Sequence, residues 1–236
     1  GLPSRDLFPV SAIRKATDTL FENHGKDVLQ YSTSEGYEPL REWIAERYAT
    51  AKGITVAPDD ILITSGSQQG LDLLGKTLVN EGDGVAIERP GYLGAIQAFS
   101  VYRSRFHQIP LLLDGPDIEV LSEVLTQNQV KLLYTVPNFQ NPSGTTYSQA
   151  KRQEVASIME HGSTILVEDD PYGELRFRGV PADSFGLLMP KNTVMLGTFS
   201  KIVVPSFRVG WIVARPDIRE KLLVAKQASD LHTNYL

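Results

Sequence analysis

Between residues 61 and 214 short apolar runs alternate with longer amphipathic ones, and this alternation restricts the fold more than any other feature of the chain. Strand-length apolar runs lie at 61–64, 84–88, 104–109, 131–136, 164–167 and 193–197. Helical patterns fill most of the gaps, at 68–80, 93–101, 118–127 and 148–161. Two more helices are expected ahead of this region, at 10–21 and 39–52, and one after it, at 218–231. Such spacing predicts βαβ units in an α/β fold: a three-layer α/β/α arrangement around a mostly parallel sheet with helices on both faces. A further strand is expected at 208–214, making the sheet seven-stranded. The loop leading to it from Lys201 is too short for a helical crossover, so that strand is expected to run antiparallel and the sheet to be mixed.

Composition narrows the partners. A net charge of −5 with no cluster of Lys and Arg argues against a nucleic-acid surface. No apolar run approaches the roughly 18 residues that span a bilayer. The absence of cysteine removes disulfides, thiolate metal sites and Cys nucleophiles, and His24, His107, His161 and His232 show no metal-ligand spacing. No signal peptide is evident, and the cytoplasm is the default compartment. The sequence opens Gly1-Leu2-Pro3-Ser4 without a methionine and stops at Leu236, just after a helical pattern, so further chain is expected on either side.

In a parallel α/β sheet, ligands bind beyond the carboxyl ends of the strands, and several of the expected strand ends carry polar chemistry. After 61–64 comes Ser65-Gly66-Ser67-Gln68, which turns straight into a helix. Its free N–H groups and dipole suit a phosphate, although neither the dinucleotide fingerprint nor the P-loop spacing is met, and Ser67 as a plain N-cap is the competing reading. After 84–88 comes Arg-Pro-Gly-Tyr, where Tyr92 opens a helix as either a ring for stacking or a core tyrosine. After 131–136 the run PNFQNPSG fixes a loop in which Asn141 either aims its amide at a ligand or serves the turn. After 164–167 come Glu168, Asp169 and Asp170, with Tyr172 following. A carboxylate there holds a cationic ring nitrogen protonated or, with its neighbours, binds a metal; no second carboxylate cluster supports the metal.

The segment GTFSKIVVPSFRVGW adds Thr198, Ser200, Lys201 and Arg208. Lys201 directly follows the 193–197 run, and Arg208 lies seven residues on. A lysine beside hydroxyls and a fixed cation reads either as a solvated loop residue or as an amine that forms a Schiff base next to a phosphate. The strand ends together offer an amine, a carboxylate for a ring nitrogen, donors for a phenolic oxygen, an aromatic lid and a phosphate cup. Pyridoxal 5′-phosphate is the ligand that needs all of them.

Taken in order, GLPSRDLFP, LQYSTSEGYEPLRE, SGSQQGLD, RPGY, PNFQNPSG, EDDPYGELRF, GTFSK, FRVGW and KQASDLHT resemble the fold-type I, class I/II aminotransferases, near the 2-aminoadipate, aromatic and kynurenine group, over essentially the whole chain. The resemblance implies that Lys201 carries pyridoxal phosphate and later moves a proton. It implies that Asp169 pairs with the ring nitrogen, that Asn141 and Tyr172 hydrogen-bond the ring oxygen, and that Tyr92 stacks. Gly66, Ser67, Gln68, Thr198, Ser200 and Arg208 would hold the phosphate. Tyr31 matches a tyrosine that reaches the neighbouring subunit's phosphate, implying a homodimer with shared sites. Gly1 matches a glycine passing near the substrate, and Asn141 is a second substrate contact. The substrates implied are an amino acid and a 2-oxo acid, with 2-oxoglutarate the usual acceptor.

In that family an arginine of a C-terminal small domain grips the substrate carboxylate. The present sequence is expected to hold residues 1–30 as an N-terminal arm with part of the small domain, and residues 31–236 as the cofactor-binding large domain, without the C-terminal small domain. Two other functions share the resemblance: the effector domain of a GntR/MocR-type transcription regulator, and a cofactor-dependent C–S lyase.

Overall fold

Each apolar run read as a strand becomes one in the computed structural model, which describes residues 3–235. The strands are β1 (Ile61–Thr64), β2 (Gly84–Arg89), β3 (Arg105–Leu112), β4 (Gly115–Pro116), β5 (Val130–Thr135), β6 (Ile165–Asp169), β7 (Thr193–Thr198) and β8 (Gly210–Val213), in the order β1-β8-β7-β6-β5-β2-β3-β4. β1, β6, β7 and β8 are buried along their whole length, as strands covered on both faces must be. The sheet has eight strands where seven were expected. The extra one is β4, two residues pairing antiparallel with Leu111 and Leu112 at the edge. A two-residue strand has no periodicity to read, and its Pro116 lacks an N–H, which only an edge position tolerates.

The central strands β3, β2, β5, β6 and β7 run parallel. As its short approach loop requires, β8 is antiparallel to both neighbours, β7 and β1. This places Gly210 opposite Thr198 on one side and Thr64 on the other. Arg208, two residues earlier, is thereby carried to the gap between the ends of β1 and β7.

Helices cover both faces. α3 (Ser67–Leu78), α4 (Leu93–Ser100) and α8 (Pro216–Gln227) pack one apolar cluster with Val85, Ile87, Leu132, Val167, Val194 and Leu196. α5 (Ile118–Gln127), α6 (Gln149–Met159) and α7 (Phe185–Leu188) pack another on Ala86, Leu133 and Leu166. α2 (Glu38–Lys52) covers the β7-β8-β1 end through Ile44, Tyr48, Ile61, Ile63, Met195 and Trp211. Side chains alternate between these faces along each strand, so odd positions of β6 meet α3, α4 and α8 while Leu166 meets the α5–α6 layer. Asp117 caps α5 by accepting from the N–H groups of Glu119 and Val120, and α2 ends at Gly53, whose φ of 65° is the left-handed stop that glycine allows. α1 (Val10–His24) has no buried residue. α7 was not anticipated, because four residues carry no helical period. No helix among the described residues is long and apolar enough to cross a membrane.

Among the described residues two charged side chains, Arg152 and Lys226, are wholly buried. Arg152 on α6 is 0% exposed and donates to the carbonyls of Tyr147, Pro137 and Asp183 and to Asn138 Oδ1, at 2.7–3.3 Å. Its guanidinium also lies 3.9 Å from the buried carboxylate of Glu168. Arg152→Leu strips the donor from this set and removes the guanidinium that lies 3.9 Å from Glu168. We expect a loss of about 3–5 kcal/mol in chemical unfolding; a loss under about 1 kcal/mol, the worth of a surface pair, contradicts this role.

Candidate active site

The carboxyl ends of β1, β5, β6 and β7 open into one cleft of about 410 Å³ on the side of the sheet that α3 and α4 cover. Strand parity selects what faces it. Ile165 and Val167 pack under α3, α4 and α8, so Asp169 projects to the same side, where the strand ends and the cleft begins. Glu168 projects to the opposite face, where the Ser184 hydroxyl donates to it and Arg152 lies close. Asp170 accepts from Lys52 of α2 at 2.7 Å and from the Gly173 N–H at 2.9 Å. The three consecutive acids therefore serve three different surroundings.

Asp169 is 3% exposed. The Tyr134 hydroxyl on β5 donates to its Oδ2 at 2.7 Å, while Oδ1 has no hydrogen-bond partner in the protein. Burial pushes its carboxyl up to about 7; the Tyr134 bond opposes that shift and the Asp170 charge adds to it. For Asp170, burial acts upward too, but the Lys52 ammonium overrides it and the carboxyl ends below its ordinary value. Tyr134 was missed in the sequence. The available signal was parity: Tyr134 alternates with Leu132 and Val136 on the α3–α4 side and pairs in register with Val167, which shares a face with Asp169.

At the other end of the cleft the polypeptide gathers N–H groups, hydroxyls and one cation. α3 begins at Ser67 with Gly66 as its N-cap, and no side chain caps it. Ser67 is thus not the plain cap that competed with the ligand reading, and the first-turn N–H groups have no intrahelical acceptor. Gly66 has φ 83°, and a Cβ built there would lie 2.5 Å from Arg208 Nη2. Only glycine lets the guanidinium close on the start of the helix. Arg208 itself holds the left-handed conformation (φ 51°, ψ 45°), unusual for a residue with a Cβ and a mark of local strain. Its Nη1 lies 3.4 Å from Ser200 Oγ, and Ser200 Oγ lies 3.0 Å from Thr198 Oγ1. The side-chain amide of Gln68 donates to the Gly94 carbonyl at 2.9 Å and so braces α3 against α4, leaving its backbone N–H for a ligand.

Tyr92 and Tyr172 are half-buried and both line the cleft. Burial first, and the Asp169 charge second, raise both phenols above their ordinary value; a hydrogen bond with the Asn141 side chain opposes this for Tyr172. Lys201, in the turn after β7, lines the same cleft. The cleft thus joins Ser67, Gln68, Tyr92, Asn141, Asp169, Tyr172, Thr198, Ser200, Lys201 and Arg208, with Gly66 against Arg208. Tyr31 is outside it: 79% exposed, its ring edge-on to His232 at 5.7 Å. Gly1 lies outside the described residues. No group of three or more His, Cys, Asp or Glu among the described residues is placed to hold a metal ion.

A family model described as aminotransferase class I and II matches residues 2–234. Aromatic-amino-acid aminotransferase 1 of Thermococcus litoralis is 43% identical over 99% of this chain and 58% of its own length. A crystal structure of Pyrococcus horikoshii kynurenine aminotransferase, in complex with PMP, superposes with a TM-score of 0.95 at 43% identity, over 100% of this chain and 59% of that one. An HTH-type transcriptional regulator of Bacillus subtilis, YisV, is 32% identical over 98% of this chain and 47% of its own length. The chain spans about three-fifths of the length of the aminotransferases it matches. With a single family match running through nearly all of its residues, the chain belongs to the class I and II aminotransferases.

Proposed function

We propose that this chain is the pyridoxal-phosphate-binding portion of an aminotransferase that moves an amino group from an amino acid to a 2-oxo acid. The observation that carries the reading is Asp169 Oδ1, buried without a hydrogen-bond partner in the protein, on a residue that lines the same cleft as Lys201. A carboxylate held in that state is stabilised by a protonated ring nitrogen. The space at Gly66, which a Cβ would fill, and the Arg208 guanidinium beside it fit a phosphate at the other end.

When bound, pyridoxal phosphate supplies an aldehyde for imine exchange and a ring that withdraws electron density from the substrate Cα. The protein's residues do the rest. Lys201 Nζ would hold the cofactor and would serve as the base for the proton of the substrate Cα. Asp169, oriented by Tyr134, keeps the ring nitrogen protonated. Asn141 and Tyr172 donate to the ring oxygen, and Tyr92 covers the ring. The first N–H groups of α3, the Ser67, Ser200 and Thr198 hydroxyls and Arg208 bind the phosphate. The exposure of Tyr31, away from its own cleft, supports a homodimer in which it reaches the partner's phosphate. Residues 31–236 form the large domain in this reading, with residues 1–30 an arm toward a small domain that lies in the remaining length of the relatives.

The similarity to YisV supports a second reading, the effector domain of a transcription regulator, which would use the same cofactor residues. Amino-group exchange separates the two. Full-length protein loaded with the cofactor should lose its visible absorbance band on mixing with an aromatic amino acid or 2-aminoadipate and regain it with 2-oxoglutarate. Lys201→Ala should slow that exchange by about 10²–10⁴-fold, the worth of a positioned proton carrier. A wild-type protein that binds the cofactor and exchanges with no amino acid favours the regulator.

Asp169 gives a test by pH. Without cofactor, its folded value near 7 stands above its ordinary 3.8. A raised carboxyl contributes stability that is present below about pH 3.8 and is lost as pH rises through about 7. Unfolding in denaturant should therefore show cofactor-free Asp169→Asn gaining on the wild type from pH 5 to pH 8, by at most about 3 kcal/mol. Cofactor should reverse the ranking at pH 8, because the ring nitrogen supplies the missing partner. Parallel pH curves for the two proteins would contradict the assignment.

A further inference from the structure

We propose that Glu88 is a positioning residue for the cofactor site, and that its buried carboxylate acts through Gln140 to fix the two loops that carry Tyr92 and Asn141. This rests on the cofactor reading above, and it concerns residues on the far side of the sheet from the cleft. Glu88 ends the buried part of β2. It shares a face with Ala86, toward the α5–α6 layer, and does not line the cleft.

The carboxylate is 3% exposed and accepts three hydrogen bonds. Oε1 takes the Val136 N–H at 2.9 Å and the Tyr147 hydroxyl at 2.6 Å, and Oε2 takes Gln140 Nε2 at 2.9 Å. Gln140, 1% exposed, passes the constraint on. Its Nε2 also donates to the Pro90 carbonyl at 2.7 Å, while its Oε1 accepts from the Ser143 N–H at 2.8 Å and the Ser143 hydroxyl at 2.7 Å. Pro90 lies two residues before Tyr92, and Gln140 directly precedes Asn141. One side chain therefore ties the loop after β2 to the loop after β5, and each loop contributes a residue to the cleft.

The network fixes which form of residue 88 it accepts. The Pro90 carbonyl needs a donor and the Ser143 N–H needs an acceptor, so the Gln140 amide has a single orientation. With that orientation set, the Val136 N–H and Gln140 Nε2 both face Glu88 as donors, and Tyr147 can donate as well. A carboxylate satisfies all of them; a carboxamide of the same shape must turn its own N–H₂ toward a donor. Among the described residues no cation shares this cage. Burial raises the Glu88 carboxyl to about 7, with the Tyr147, Val136 and Gln140 bonds acting downward, so at pH 8 and above the cage holds the anion.

The experiment compares full-length wild type, Glu88→Gln and Tyr147→Phe above pH 8. It measures the dissociation constant for pyridoxal phosphate, the pH midpoint of the bound cofactor's visible band, and the melting temperature. Tyr147→Phe removes one bond to Glu88 but leaves the Gln140–Pro90 bridge whole. We expect Glu88→Gln to weaken cofactor binding about tenfold, the scale of one hydrogen bond to a charged group. We also expect it to raise the band midpoint by about one unit, because an Asn141 out of place no longer favours the charged ring oxygen. Tyr147→Phe should lower the melting temperature and leave binding and midpoint within about twofold and a few tenths of a unit. If Glu88→Gln does not fold, Gln140→Met, which spares the other two donors, carries the same expectation. Wild-type binding and midpoint in Glu88→Gln, or equal shifts in Tyr147→Phe, overturn the proposal. A wild-type protein that takes up no pyridoxal phosphate overturns the cofactor reading instead, and the inference with it.

Discussion

A sheet covered by helices on both faces leaves one place for polar chemistry, the ends of its strands, and the rest of this structure follows from that constraint. The strands are apolar along their buried length because both layers of helices demand it. At the carboxyl edge the demand stops, and five strands turn polar there: Thr64 to Gly66 at the end of β1, Glu88 on β2, Asn138 to Asn141 after β5, Asp169 on β6, and Thr198 to Lys201 at the end of β7. Parity then assigns each of these side chains to the cleft or to the opposite layer. The reversed β8 completes the edge by inserting Arg208 between the ends of β1 and β7.

The same edge buries four carboxylates, and each is stabilised differently. Asp170 has the Lys52 ammonium. Glu168 has the Ser184 hydroxyl and the Arg152 guanidinium at 3.9 Å. Glu88 has three neutral donors and no cation. Asp169 has one donor on Oδ2 and an open Oδ1. Buried charge is costly unless it is matched, so an acid left half-matched beside a cleft is where a ligand's cationic group belongs. The polar layer beneath the site also explains why its loops hold their shape: Arg152 donates to three backbone carbonyls, and Gln140 joins the Pro90 carbonyl to the Ser143 N–H.

The fold was legible because its signal is redundant. Seven apolar runs with helical patterns between most of them leave little choice of architecture, and the short loop before β8 fixed its direction. What escaped was too short to have a period, namely the two residues of β4 and the four of α7. The residues gathered at the cleft were legible for a related reason: each ends a strand or lies in the segment after one, so position along the chain stood in for position in space. Tyr134, Arg152 and Glu88 were not, because they lie inside elements rather than after them. Their partners come from segments tens of residues away, and no local pattern distinguishes a tyrosine facing an aspartate from one facing a leucine. Ser67 shows the reverse case. Its sequence context suited a cap, and only the backbone of Gly66 shows that the helix starts one residue earlier in the motif than a capping serine would require.

The central claim is that Lys201 bears the cofactor while Asp169 and Arg208 hold its two ends. The most direct measurement is reduction of the cofactor-loaded protein with borohydride followed by peptide mapping by mass spectrometry. The account predicts a single phosphopyridoxyl adduct on the peptide containing Lys201. No adduct, or one on another lysine such as Lys52 or Lys226, would contradict it.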